Sequence, residues 1–422
     1  MPPPTSPVRT SESTADSRVP DHRVPCSDEK VSIAMKGLVL TADWKPKAGY
    51  EVTAAEERSR RARRGNMVWH NPTMAVAERP DPVPSSEYDV LIRDRVCGIC
   101  GSDVHMFVPD EHGYLNHPAQ SRMPIAIGHE YSGEVIEVGK AVTRVRPGDL
   151  VAVEGQVNCG RCRPCLRGIP SSCDFIEDRG FTLDGGTATL SVAHERNCWP
   201  LTAVAERYGE DYAYDVGALT EPAAVVYNGM ISRAGGFLPG DTVAVFGCGP
   251  VGLAAVGLAG ALGAGRILAL EPAAPKRDIA AALGATATFD PTTGDAAAWL
   301  LAETQGVGVD MVVDASGAGS RVMPAIFDSI AVGAKIVCLG VNKEPFPMDT
   351  VPLMFRSASM YGAVAHLGGG YPAVVALHAA GKLDLTKMIT GRFSLDEGIA
   401  AIERAATGQD AKLLIHPQGL PG

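Results

Sequence analysis

The stretch from residue 241 to 271 constrains the fold more than any other part of the chain. Asp241 to Phe246 reads as a short apolar strand that runs directly into Gly247-Cys248-Gly249-Pro250-Val251-Gly252. Leu253 to Leu262 then has the composition of a buried helix, and Arg266 to Leu270 that of a second strand ending at Glu271. A strand, a glycine turn, a helix and a second strand make a dinucleotide-binding unit. The first glycine permits the tight turn, the second lets main chain approach a pyrophosphate, and the third lets helix and strand pack, while the helix N-terminus favours phosphate charge. Glu271 lies 19 residues beyond Gly252, where a carboxylate meets ribose hydroxyls and repels a 2′-phosphate. Pro272 rather than arginine follows it, so NAD is expected in preference to NADP. Lys276 and Arg277 either border the adenine or cover a helix surface. Apolar strands at Val309 to Val313 and Lys335 to Leu339 continue the β/α alternation and lead into Ala315 and Gly340. Loops at the carboxyl ends of parallel strands line the ligand crevice, so these two should flank the nicotinamide.

The first half of the chain is β-rich and holds two clusters of ligand-type residues. Val96-Cys97-Gly98-Ile99-Cys100-Gly101-Ser102-Asp103-Val104-His105 packs a thiolate, a hydroxyl, a carboxylate and an imidazole into one short run. Cys100 can ligate a metal, Asp103 can orient a neighbouring ligand, and Ser102 and His105 can carry a proton. One run cannot close a metal site, and Gly128-His129-Glu130 supplies the nearest partners. Cys159-x2-Cys162-x2-Cys165-x7-Cys173 is self-contained. Four sulfurs saturate a tetrahedral zinc and leave no position for substrate, so this second site should be structural. Cys97, Cys198, Cys248 and Cys338 read as small buried residues. Leu219-Thr220-Glu221-Pro222 reads as the opening of a helix with proline at an early position, and Glu221 is either a capping charge or a group near the metal.

At 422 residues, two domains are expected. The net charge of -10 gives no reason to expect nucleic acid or an anionic membrane as partner. The arginines between Glu51 and Asn66 are read as a solvated surface helix or inserted loop rather than a nucleic-acid patch. No apolar run reaches the roughly 18 residues of a membrane span. Residues 1–34, rich in Pro, Ser, Thr and Asp, read as a disordered tail without the apolar centre of a secretory signal, and Met35 is a candidate original start. Four of the ten cysteines in one metal-type cluster point to a reducing cytoplasm.

With Cys100-Gly-Ser-Asp, Gly128-His129-Glu130, the four clustered cysteines, Glu221-Pro222 and the late glycine fingerprint in that order, the chain resembles the zinc-dependent medium-chain dehydrogenases from Met35 to the end. The resemblance implies an α/β protein with a GroES-like β-rich catalytic domain, residues 35–222 and 366–422, around a Rossmann doubly wound parallel-sheet domain, residues 223–365. It implies two zinc ions per chain, one catalytic and one structural. Cys100, His129 and Glu130 look like the ligand set of the polyol and threonine dehydrogenase branch, with Glu221 where a carboxylate can enter or leave the metal shell. Which glutamate is resident stays open at this point. Ser102 and His105 match the family's proton relay, which runs by way of the nicotinamide ribose, and Asp103 matches its buried carboxylate behind the ligands.

Trp44-Lys45-Pro46, the charged insertion ending Val68-Trp69, Asp110-Glu111-His112-Gly113-Tyr114 and the His366-containing glycine loop are similar to the cyclitol (scyllo-inosose) dehydrogenases of that branch. Ala365 and His366 stand where sorbitol dehydrogenases carry an arginine, which argues against an open-chain polyol. The implied activity is NAD-linked interconversion of a secondary alcohol and ketone on a small polyhydroxylated ring, in a homodimer or homotetramer. A threonine-like or open-chain polyol dehydrogenase is the second reading, and a non-catalytic nucleotide-binding protein on the same fold the third. His112, Tyr131, Glu154, Asn228 and His366 are candidates for the ring hydroxyls.

Overall fold

The computed structural model describes residues 34–342, 345, 348–366 and 369–420. Residues 1–33 of the expected tail, and Gly368 of the glycine loop, lie outside the described residues.

Thr242–Phe246 is the centre of a parallel sheet because its side chains are apolar on both faces, and Val243, Ala244, Val245 and Phe246 are all buried. Across the sheet the strands run Ala287–Phe289, Arg266–Leu270, Thr242–Phe246, Val309–Asp314, Ile330–Cys338 and Ser359–Gly362. In chain order that is third, second, first, fourth, fifth, sixth. The order reverses beside Thr242–Phe246, so the loops after it and after Val309–Asp314 separate and leave a crevice. The fifth strand begins at Ile330, five residues before the Lys335 expected from its apolar pattern.

The three glycines have distinct duties in the turn. Gly247 takes φ +88°, and its N–H donates to Leu270 O at 2.8 Å. Gly249 caps the helix Pro250–Ala261, and a Cβ there would meet nothing within 4 Å. At Gly252 a Cβ would lie 1.8 Å from Gly247 O, so the helix can approach the turn only without a side chain. Gly252→Ala must push the turn away from the helix. We expect at least about a tenfold rise in the dissociation constant for NAD, about 1.4 kcal/mol, measured by calorimetry.

The β-rich part is a mostly antiparallel sheet built on Asp89–Gly98. Glu130–Val138, Leu150–Glu154 and Cys198–Pro200 continue from one side of it, and Leu190–His194 also pairs with it. Lys412–His416 joins the other side with Leu414 opposite Gly98, followed by Ile389–Ser394, so the last strands of the chain complete a sheet begun before residue 100. This arrangement brings Lys412 beside the metal-type residues.

Glu221-Pro222 does not open a helix. It lies inside the 18-residue helix Glu210–Tyr227, which continues into a π-helical turn, Asn228–Arg233. Proline at an early helical position and proline inside a longer helix look alike locally. Here the flanking residues are buried, and packing holds the helix despite the N–H that Pro222 lacks. The expected domain division between residues 222 and 223 falls within this continuous helix.

The arginine-rich insertion is a short surface helix and loop, as expected, with Arg58, Arg60, Arg63 and Arg64 exposed, and it is anchored by a few buried groups. Thr53 caps the short helix Ala54–Ser59 in a capping box with Glu56, which is only 2% exposed. Arg61 reaches Glu177, Gln120 and the carbonyl of Ile176, and the N–H groups of Gly65 and Asn66 each donate at 2.9 Å to the carbonyls of Ala119 and His117. Through these contacts the insertion braces the 117–122 segment while its outer face stands in water. Burial pushes the Glu56 carboxyl up, but hydrogen bonds from the Arg63 and Thr53 N–H groups and the Tyr50 and Thr53 hydroxyls outweigh it and hold its pKa at about 2, below the ordinary 4.5. A carboxylate depressed on folding stabilises fully above its unfolded pKa, and that stabilisation fades as pH falls from about 4.5 towards about 2. Glu56→Gln should cost about 1–3 kcal/mol at neutral pH, with the deficit shrinking in acid, as measured by urea unfolding at a series of pH values.

Candidate active site

Cys100 sits at the N-cap of the helix Gly101–Phe107, and its N–H donates to Asp103 Oδ2 at 2.9 Å. Gly128, at φ +93°, turns the chain so that His129 and Glu130 face Cys100, and a Cβ there would collide with Thr187 Oγ1 and Cys97 Sγ. Gly98 lies opposite Glu130 in the sheet, where a Cβ would sit 2.3 Å from its carboxylate. The result is a half-buried thiol with a buried imidazole and carboxylate, whose ligand atoms all lie within 4.8 Å of one another.

The groups around this cluster hold it in place. His129 Nδ1 is 3.6 Å from Asp103 Oδ1, and neither atom has a hydrogen-bond partner. Burial disfavours a charge on the His129 ring, yet the Asp103 carboxylate and the Cys100 sulfur outweigh it and hold its pKa well above the ordinary value. The sulfur, the imidazole and the Glu130 carboxylate converge as donors for a cation. Lys412, fully buried, donates its ammonium to Glu130 Oε2 and to Ile99 O, the latter at 3.0 Å. A soft sulfur, an imidazole and a carboxylate form the donor set of a catalytic zinc with one position left for substrate. These residues fit that ion.

Cys159, Cys162, Cys165 and Cys173 converge equally closely, with Cys162 Sγ 3.4 Å from Cys165 Sγ and 3.6 Å from Cys173 Sγ. Main-chain N–H groups of Arg161 and Cys162 point at Cys159 Sγ, at 3.5 and 3.3 Å, and those of Cys159 and Phe175 point at Cys173 Sγ, each at 3.3 Å. The Arg161 N–H is the main cause of a Cys159 pKa lowered to about 6. Four convergent sulfurs, two of them supplied with main-chain N–H donors, suit a closed tetrahedral zinc.

A cleft of 1080 Å³ joins the first cluster to the dinucleotide turn. Cys100, His129, Glu130 and Glu221 line one end, and Gly249, Pro250, Val251, Ala315 and Gly340 line the other. Ser102 and His105 line it too, and Ser102 Oγ is buried without a hydrogen-bond partner. Glu271 accepts from the Cys248 N–H at 2.8 Å and the Ala273 N–H at 3.0 Å, which ties the second strand to the glycine turn. Lys276 donates to Gly408 O, and Arg277 to the carbonyls of Glu271 and Pro272, so neither reaches the cleft wall.

The amino-terminal half matches the alcohol dehydrogenase GroES-like domain over residues 86–203, and residues 250–379 match the zinc-binding dehydrogenase family. A scyllo-inosose 3-dehydrogenase of Thermotoga maritima is 33% identical over 384 residues, which is 88% of this chain and 97% of that relative. The chain belongs to the zinc-dependent medium-chain dehydrogenases. This dehydrogenase is also 33% identical over 343 residues to the D-xylulose reductase A of Aspergillus niger, covering 80% of this chain and 92% of that one. A solved Thermotoga maritima structure classed provisionally as an alcohol dehydrogenase superposes with a TM-score of 0.88 at 32% identity, covering 91% of this chain and all of that one. Solved structures of this fold hold nicotinamide dinucleotides. The protein is thus an oxidoreductase of the alcohol and polyol dehydrogenase type, with a GroES-like and a Rossmann-like part. No helix among the described residues is long and apolar enough to cross a membrane.

Of the five residues expected to meet ring hydroxyls, His366 alone lines the cleft. His112 is exposed beside Glu111, and Tyr131 is buried in the sheet core. Glu154 accepts from Trp199 Nε1 at 2.9 Å, and Asn228 donates to the carbonyls of Val364 and Ala365. Polarity near a motif did not reveal direction. The residues that do line this end, His117, Gln120, Gln156 and Asp178, carry no local signal and reach it through the insertion and the cysteine loop. Lys412 was hidden likewise, because a lysine opening an apolar strand reads as a strand boundary.

Proposed function

We propose that this dehydrogenase interconverts a secondary alcohol and a ketone on a small polyhydroxylated ring, with NAD as hydride carrier and two zinc ions per chain. The observation that carries this reading is the single cleft with the Cys100–His129–Glu130 cluster at one end and the glycine turn at the other. When bound, zinc polarises the substrate oxygen and the nicotinamide accepts the hydride. Cys100, His129 and Glu130 hold the metal, and Asp103 orients His129 from behind. Ser102 Oγ, buried and without a partner, takes the hydroxyl proton and passes it towards His105. Gly249 admits the pyrophosphate, and Ala315 and Gly340 flank the nicotinamide. The Glu271 carboxylate at the end of its strand favours NAD over NADP. His117, Gln120, Gln156 and Asp178 supply donors and acceptors around the remaining hydroxyls of a compact ring. Cys159, Cys162, Cys165 and Cys173 hold the structural ion, and a reducing cytoplasm keeps these thiols available. In this reading residues 35–222 with 366–422 serve the substrate and 223–365 the cofactor.

A panel of inositols, inososes, aminocyclitols, open-chain polyols and threonine, read by NADH absorbance with NADP run in parallel, tests the proposal. A cyclitol or inosose is expected to give the highest kcat/KM. The xylulose reductase relative favours an open-chain polyol as the second reading, and a xylitol preference would establish that one instead.

A further inference from the structure

The cleft contains one more buried carboxylate than the metal cluster uses. Glu221 is 6% exposed, stands outside the group formed by Cys100, His129 and Glu130, and has Oε1 2.9 Å from His366 Nδ1. His366 is as deeply buried, at 2% exposed, and its Nε2 accepts the main-chain N–H of Gln156 at 3.3 Å. A ring nitrogen that accepts an N–H carries no proton. Nδ1 therefore holds the ring's single proton and donates it to Glu221. The main-chain N–H can only donate, so this direction is set by the backbone.

The loop that carries the ring is itself fastened to the helix bearing Glu221. Asn228, seven residues further along, donates its side-chain amide to Val364 O at 3.2 Å and Ala365 O at 2.9 Å. Ala365 adopts φ +57°, a left-handed conformation that costs a residue with a Cβ about 1 kcal/mol or more. The strained residue immediately precedes His366. One helix thus places both the carboxylate and the anchor of the histidine that holds it.

We propose that His366 is a positioning residue that latches Glu221 as an outer carboxylate, so that the metal's protein ligands are Cys100, His129 and Glu130 and its fourth position opens to the cleft. The inference rests on the metal-site reading above. Glu221 stands outside the close ligand group, so entering the shell requires its carboxylate to move, and with the ring fixed by the Gln156 N–H and its loop by Asn228 that movement pulls Oε1 off the Nδ1 proton. Lys412 holds one oxygen of Glu130 in the same way, but Glu130 already lies within the ligand group, so there the hydrogen bond fixes the carboxylate at the metal.

The test uses holoenzyme with cobalt at the catalytic position and zinc kept at the four-cysteine loop, titrated with azide and followed by visible absorption. In the wild type azide enters the open position. His366→Phe frees Glu221 to compete, and azide affinity should fall at least about tenfold. His366→Asn keeps an N–H donor near the place of Nδ1 and should restore wild-type affinity, as should Glu221→Gln added to His366→Phe. Equal azide affinity in wild type and His366→Phe overturns the latch. If His366→Phe fails to fold, Glu221→Gln alone decides. Unchanged affinity supports an outer Glu221, and about tenfold tighter azide binding shows that Glu221 already held the position. Absence of a thiolate-to-cobalt band that Cys100→Ser abolishes would count against the metal site itself, separately from the latch.

Discussion

Changing Cys100 to serine is expected to lower kcat/KM at least about a thousand-fold, roughly 4 kcal/mol of transition-state stabilisation. The protein should keep its far-ultraviolet circular dichroism while its zinc content falls from two ions per chain to one. The size follows from what the site loses. A hydroxyl is a poor zinc ligand beside a thiolate, and His129 and Glu130 alone cannot hold the ion in an open three-ligand site. The fold survives because Cys100 sits at a helix N-cap on the cleft wall, where serine is an equally good cap. Steady-state kinetics with metal analysis on one preparation reads both effects.

Cys162→Ser should produce the converse pattern. Cys162 is buried at the centre of the four-sulfur loop, with two other sulfurs within 3.6 Å. In the two-zinc reading, removing the fourth thiolate costs the loop the ion that would order it and leaves the freed sulfurs open to oxidation. We expect the melting temperature to drop by about 5 °C or more, measured by calorimetry. Turnover per correctly folded molecule should stay within about threefold of wild type, because the ion is closed to substrate. Together the two cysteine variants separate a chemical zinc from a structural one in the same chain.

What could be read from the sequence was chemistry carried by neighbouring residues. The glycine turn, Cys100 with Asp103, His129 with Glu130 and the four-cysteine loop each bring their parts together within a few residues, and each is compact in the folded chain. What could not be read depends on contacts made over long separations. Lys412 meets Glu130 across 282 residues and His366 meets Glu221 across 145, through sheet completion and a loop folding back on a helix. The insertion at residues 51–66 is the solvated charge its sequence suggests, except at Arg61, whose partners Glu177 and Gln120 lie too far along the chain to be read from it. Glu221-Pro222 misled for a related reason, since whether proline opens a helix or interrupts one is decided by tertiary packing around it. The choice between Glu130 and Glu221 at the metal could be posed from the sequence, and it took the two long-range partners to argue an answer.

The most direct test of the account follows NADH formation from a cyclitol as the catalytic ion alone is removed and returned. Enzyme stripped to one zinc per chain should remain folded and form no NADH, and one added equivalent of zinc should restore turnover in proportion to the ion bound. Full turnover in enzyme carrying only the four-cysteine zinc would contradict it, because the Cys100–His129–Glu130 site would then have no part in the reaction.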